Sequence, residues 1–358
     1  MQNINDNLRI DSHKLIYHPE RVNDWLIGKN IYPIYMEISP SGGCNHRCIF
    51  CAKDYLKYKR VFLDTSSLKK TIKTASHCGV KSIMFAGEGE PLLHKDIAEI
   101  IEYTKLCGID SAVTTNGVKL SGELAKKILP HLSWIRISLD AASAKTYMKI
   151  HRAAKEDFNR VLDNLSTAVV LKRRNKYPVT IGVQFLLIKE NSGEEVKLAE
   201  KLRDLGVDYL IIKPYSKHLY SHSKVKDDYR YENCIKNEDK FKKLENDSFK
   251  IYLRKHTMMK LKSKRRYAHC LGLPFWAYLD AEGNFFACSS YLGRKEFNFG
   301  NIYKSPFKDI FNSLARRRII KYCATNLNTY KCRKNCRLDE INTYLWELKY
   351  PAAHFNFI

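Results

Sequence analysis

Between residues 34 and 215, six short apolar runs alternate with amphipathic, lysine-rich segments, and this alternation constrains the fold more than any other feature. Strands are expected at 34–39, 81–86, 110–114, 134–139, 179–187 and 208–213. Helices are expected between them at 66–77, 96–107, 122–129, 144–150, 156–173 and 194–205. Six βα units in succession imply a parallel sheet covered by helices. In such folds the reacting groups sit on loops at the carboxyl ends of the strands, so the residues that follow each run are the candidates for chemistry.

The flanks differ in character. Residues 1–33 form an N-terminal extension, and residues 216–267 are polar and basic, which suits a linker plus a surface helix. A smaller second domain over 268–358 opens with FWAYLDAEGNFFAC, where Glu282, Gly283 and Asn284 suit a hairpin turn. It closes with the helix-like RLDEINTYLWELK and an apolar tail. No run reaches the length of a membrane span and the N-terminus lacks a signal-peptide pattern, which gives a cytoplasmic expectation with no membrane span. Lys and Arg number 62 against 38 Asp and Glu, a formal charge of +24. That excess favours an anionic partner through its long-range field, a lysine-rich composition being the plain alternative. The basic runs at 172–174, 260–266 and 316–318 are expected on solvated faces.

Eleven cysteines without a secretory signal point to metal or redox chemistry rather than disulfides. Cys44, Cys48 and Cys51 stand in SGGCNHRCIFCAKD directly after the first strand, a spacing that chance gives roughly once in a hundred such chains. A structural zinc would need a fourth ligand, and His46 is awkwardly placed inside the three-residue gap. Three thiolates on a four-iron cluster instead leave one iron open to a small molecule. Cys270, Cys288, Cys332 and Cys336 form a second candidate metal group with Cys323 as the spare thiol, and zinc is the alternative there. Cys78 and Cys107 read as core residues, and Cys234 falls in the polar linker.

Phe50 before the third cysteine, GEGEP at 87–91, TTNG at 114–117 and ISLDA at 137–141 follow in order. On these motifs, which span about half of the chain, it resembles the radical S-adenosylmethionine (SAM) superfamily. The run from Cys270 through Gly283 to Cys288 resembles the start of a SPASM/Twitch extension. Five cysteines there suffice for one fully ligated cluster, which is closer to Twitch. The resemblance implies a partial (β/α)6 TIM-like barrel with a small C-terminal Twitch-like iron-sulfur domain. It also implies two 4Fe-4S clusters, one of them chelating SAM, with a flavodoxin- or ferredoxin-type electron donor. An electron would cleave SAM to a 5′-deoxyadenosyl radical that abstracts hydrogen.

Phe50 would then pack on adenine and Glu90 accept from the SAM amine, with Gly89 allowing close backbone approach. Asn116, Ser138 and Gln184 offer donors and acceptors at strand ends, helix capping being their plainer role. Glu88 replaces a glycine usual in the family's motif and is expected to face solvent, the alternative being a second acceptor near SAM or substrate. Lys213, Tyr215, Lys217 and His218 follow the sixth strand, where they can bind phosphate. His354 is expected to pack with the tail, reaching the barrel mouth being the alternative. The leading substrate is a small anion such as a sugar nucleotide or phosphorylated sugar, undergoing dehydrogenation, epimerisation or elimination. The rivals are maturation of a ribosomal peptide, modification of RNA, which only the charge supports, and a non-enzymatic zinc-stabilised binding module.

Overall fold

A computed structural model describes residues 8–357; the first seven residues of the expected N-terminal extension and Ile358 of the expected tail lie outside the described residues. Helix α1 (Pro19–Leu26) precedes β1 (Tyr35–Ile38). The alternation then runs α2 (Thr65–His77), β2 (Ser82–Phe85), α3 (Ile97–Leu106), β3 (Asp110–Thr115), α4 (Gly122–Ile128) and β4 (Trp134–Ser138). It continues through α5 (Ala144–His151), α6 (Asp157–Asn175), β5 (Thr180–Leu187), α7 (Glu195–Leu205) and β6 (Tyr209–Pro214). All six expected strands and six expected helices are present within a few residues of their expected bounds.

Local chemistry explains the boundaries. The Asp64 carboxylate accepts from the Ser67 amide at 2.7 Å and starts α2, while the Ser121 and Ser143 hydroxyls cap α4 and α5 in the same way. Gly206, at φ +79°, ends α7 in the left-handed region. Along β4, Ile135 and Ile137 are buried under the helices, and Trp134, Arg136 and Ser138 alternate onto the other, half-buried face. Tyr209 lies on that same inner face, against Gly182, where a Cβ would come within 2.0 Å of its ring.

The segment 216–267 corrects the reading of a linker plus surface helix. It contains α8 (Glu232–Lys236), α9 (Glu238–Leu244), β7 (Lys250–Leu253) and α10 (Lys255–Lys260). Strand β7 pairs parallel with β6, and Cys234 is buried in α8 rather than lying in a polar linker. Strands β8 (Trp276–Leu279) and β9 (Asn284–Phe286) form the expected hairpin, followed by β10 (Asn298–Asn301), α11 (Phe307–Asn312), α12 (Leu314–Thr325) and α13 (Asp339–Lys349).

The sheet order is β10-β9-β8-β1-β2-β3-β4-β5-β6-β7, with β8 parallel to β1. Its two ends are not paired to each other among the described residues, so the barrel is open. The C-terminal hairpin therefore extends the same sheet from the β1 side. A second core joins Leu15, Val22, Ile31 and Ile34 of the N-terminal segment to Leu271, Phe275 and Leu345 near the C-terminus. No described helix is long and apolar enough to cross a membrane.

Candidate functional site

The loop after β1 is built from backbone contacts. Gly89 lies against it so closely that a Cβ would stand 2.2 Å from the Ser41 carbonyl and 2.3 Å from that of Gly43, and the Glu90 amide donates to the Gly43 carbonyl at 2.8 Å. From this base the chain carries Cys44, Cys48 and Cys51. The Arg47 and Ile49 amides donate to the His151 and Ile150 carbonyls at 3.1 and 2.8 Å, which fixes the loop on the end of α5.

The three thiols share one neighbourhood. Burial and then Glu90 push the Cys44 thiol up to about 12, with Cys51 adding to the effect. Burial pushes Cys48 well up, followed by the charges of Cys51 and Cys44. Thiols so placed are poor free nucleophiles, and a bound metal group is what deprotonates such a set. Two backbone amides already aim at the sulfurs, His46 N–H at Cys44 and Lys53 N–H at Cys51, each at 3.4 Å.

Beside them, Glu90 is buried and holds two loops together. Its Oε1 accepts from the Leu92 amide at 3.0 Å and the Thr115 hydroxyl at 2.6 Å, and its Oε2 from the Asn116 amide at 2.8 Å. Oε2 keeps lone-pair capacity for a further donor. Asn116 donates through Nδ2 to Asn45 at 2.7 Å and accepts from the Val118 amide through Oδ1 at 3.1 Å. Ser138 and Gln184 are register partners across β4 and β5, both half-buried. Phe50 meets the His151 ring edge-on at 5.7 Å.

Glu88 does not face solvent. Its Oε2 accepts from the Tyr278 hydroxyl at 2.9 Å and its Oε1 from the Ala281 amide at 3.0 Å, so it spans from the β2 loop to β8 and its turn. Burial, then Asp280, raises its carboxyl to about 7, while Lys53 acts in the opposite direction.

At the end of β6, the Lys213 ammonium makes no hydrogen bond and no ion pair among the described residues. Burial lowers its ammonium to about 7, against the pull of Asp140 and with the help of Arg254, Arg333 and Arg136. Tyr215 is buried, with its hydroxyl donating to Ser223 at 3.3 Å. His218 is buried and stacked on Tyr55 at 5.3 Å, and its Nδ1 accepts from the Tyr220 amide at 3.3 Å. Arg333 acts on Lys213, Tyr215 and His218, which places the three in one electrostatic neighbourhood. Lys217 is exposed, and His354 is on an exposed tail with its ring 6.3 Å from that of Phe357.

The second cysteine group is also mutually close. Cys270 feels Cys336, Cys288 and Cys323, and Cys288 feels Cys336 and Cys332, after burial in each case. Asn342 Nδ2 points at the Cys270 sulfur at 3.6 Å, the Ser290 amide at the Cys288 sulfur at 3.4 Å, and the Tyr291 hydroxyl lies 3.4 Å from the Cys332 sulfur. Cys323 is fully buried in α12, and its carbonyl accepts from the Cys270 amide at 2.9 Å.

Among the described residues, the ligand atoms of His46, Cys48 and His151 lie within 4.8 Å of one another.

Two family models match the chain. One describes the Radical SAM superfamily and covers residues 38–202, and the other describes SPASM, an iron-sulfur cluster-binding domain, and covers residues 270–337. The chain carries a radical SAM domain and a SPASM domain. Its radical SAM and SPASM domains imply SAM and two 4Fe-4S clusters as cofactors, in agreement with the two thiol groups.

Among curated relatives, this chain is 30% identical to the GTP 3′,8-cyclase of Chlorobaculum tepidum over 190 residues, 51% of the chain and 55% of the relative. It is 35% identical to the probable GTP 3′,8-cyclase of Methanothermobacter thermautotrophicus over 135 residues, 37% of the chain and 43% of the relative. The chain thus spans about half the length of the curated relatives it matches. Among solved structures, Streptococcus suis SuiB bound to S-adenosylmethionine aligns with a TM-score of 0.66 at 17% identity, covering 89% of the chain and 75% of SuiB. The anSMEcpe structure with bound AdoMet aligns with a TM-score of 0.60 at 18% identity, covering 88% and 95%. At these identities the structures establish the fold.

Sequence reasoning missed Lys53. Its ammonium donates to the Ser289 carbonyl, and burial lowers it to about 8 against Glu37 and Glu88. Its position two residues after Cys51 was the available signal. It also missed Arg333 and Arg337 of the C-terminal segment, which reach the barrel. Arg337 pairs with the buried Glu37 of β1, and Arg333 donates to the Ser216 carbonyl at 3.0 Å.

Proposed function

We propose that this chain is an enzyme that reductively cleaves SAM and abstracts hydrogen from a small phosphorylated anion, such as a nucleotide or a sugar nucleotide, at the C-terminal mouth of the open barrel. Cys44, Cys48 and Cys51 would hold the SAM-binding cluster, and Cys270, Cys288, Cys332 and Cys336 the auxiliary one. When bound, the first cluster supplies the electron that turns SAM into a hydrogen-abstracting species. The chain's own residues orient the reactants. Glu90 and Asn116 stand beside Cys44 with acceptors for the SAM amine, Gly89 leaves the loop open to close approach, and Phe50, Ser138 and Gln184 would supply further contacts to SAM.

The observation that carries the substrate class is Lys213. Lys213 is half-buried, its ammonium has no hydrogen bond or ion pair among the described residues, and a desolvated cation so placed gains from a nearby negative charge. Here the neighbouring Arg136, Arg254 and Arg333 add to the positive field, and Asp140 opposes it. A phosphate bound among these groups would keep Lys213 charged and accept from it. The named nucleotide of the curated cyclases supports the same class.

Equilibrium binding of nucleoside triphosphates and sugar nucleotides to the anaerobic holoenzyme tests this reading. The Lys213→Met variant is expected to bind the preferred anion at least tenfold more weakly while forming 5′-deoxyadenosine from SAM as before. Anion affinity that is equal in the variant and insensitive to salt would overturn it.

A further inference from the structure

Each thiol of the first group meets one hydrogen-bonding nitrogen, and the third does so by a different route. Cys44 and Cys51 receive backbone amides two residues further on. Cys48 instead faces a side chain: His151 Nδ1 lies 3.2 Å from its sulfur, with His151 buried and Cys48 half-buried. We propose that His151 is a positioning residue for the SAM-binding cluster, donating its Nδ1–H to the Cys48 sulfur and so raising the cluster's reduction potential. The proposal rests on the reading of Cys48 as a cluster ligand.

The direction of the bond follows from both ends of the ring. The Asp140 amide points its N–H at His151 Nε2 from 3.4 Å, so Nε2 is the acceptor. The Asp140 carboxylate oxygen lies at 3.6 Å from the same nitrogen, beyond hydrogen-bond reach. The proton of the ring therefore sits on Nδ1, facing Cys48. A cluster-bound thiolate has no proton to give and can only accept.

The ring cannot turn away from this contact. Tyr147 packs against it at 4.3 Å, His46 at 5.6 Å and Phe50 edge-on at 5.7 Å. Its backbone is fixed as well, because the His151 carbonyl accepts from the Arg47 amide inside the cysteine loop at 3.1 Å. Helix α5 thus delivers a donor to the one sulfur that lacks a backbone amide two residues on. An N–H directed at a cluster sulfur draws off charge, favours the reduced state and moves the potential upward.

The test is a redox titration of the anaerobic holoenzyme, following the electron paramagnetic resonance signal that SAM perturbs, with iron content measured on the same samples. His151→Phe fills the space without a donor and is expected to retain its iron while the midpoint of that signal moves to a more negative potential. His151→Asn carries an amide N–H at the position of Nδ1 and is expected to restore most of the shift. His151→Gln places its amide towards Asp140 and is expected to behave like His151→Phe, which keeps the test open if the phenylalanine variant does not fold. An unchanged midpoint in an iron-replete His151→Phe or His151→Gln variant overturns the proposal. A Cys48→Ala variant that keeps the SAM-perturbed signal and full iron would overturn the ligand reading instead.

Discussion

Glu88 shows how a single carboxylate can tie the two parts of the chain together. It accepts from the Tyr278 hydroxyl and the Ala281 amide, and its burial together with Asp280 raises it from 4.5 to about 7. A carboxyl raised on folding binds its proton more tightly in the native state, so its contribution to stability is full below about 4.5 and is lost as the pH rises through about 7. Thermal unfolding of the protein between pH 5 and 7.5 is therefore expected to carry a downward slope with pH that flattens in Glu88→Gln. An identical slope in the two proteins would show that Glu88 ionises normally. The cysteine loop was legible in the sequence because its meaning lies in spacing over eight residues. Glu88 was not, because the partners that bury it, Tyr278 and Ala281, stand some 190 residues away and no local pattern announces them.

At the scale of elements, charge misled where burial was set by another segment. The run at 316–318 was expected to be solvated, and Arg317 and Arg318 are exposed, but Arg316 is buried at 3%. Its guanidinium donates to the Asn30 side chain at 2.9 Å and to the carbonyls of Phe311 at 3.2 Å and Ile31 at 3.0 Å, fastening α12 to the N-terminal segment. Replacement by leucine strips the buried carbonyls of Phe311 and Ile31 of their donor, and each such loss costs about 1–3 kcal/mol, offset in part by the removal of a buried charge. Arg316→Leu is expected to lose about 2–4 kcal/mol in chemical denaturation, and Arg317→Ala about 0.5 kcal/mol or less. Equal small effects of both would mean that α12 is held by its apolar face alone. Strand β7 escaped the sequence reading for a related reason: its residues are half-buried or exposed at the end of the sheet, so KIYL carries little apolar contrast with its lysine-rich surroundings.

Across the whole molecule, the parts that the sequence separates into a barrel and a second domain share one sheet. Strand β1 is flanked by β2 on one side and β8 on the other, with Tyr35 to Ile38 in register with Trp276 to Leu279. Arg337 supplies the counter-ion of the buried Glu37 on that same strand, and the Leu15, Val22, Ile31 and Ile34 core closes on Leu271, Phe275 and Leu345. Removing residues 268–358 would therefore expose the hydrogen-bonding edge of β1, leave Glu37 buried without its partner, and open an apolar face on the N-terminal segment. A chain ending at residue 267 is expected to be insoluble or to associate through that edge. The 358-residue chain with its clusters bound is expected to unfold in one cooperative calorimetric transition, with iron release from both groups at the same temperature. A soluble, monomeric 1–267 chain that keeps four irons and the helical content of the barrel would show that the two cluster-bearing parts fold independently, with the shared sheet a contact between finished units.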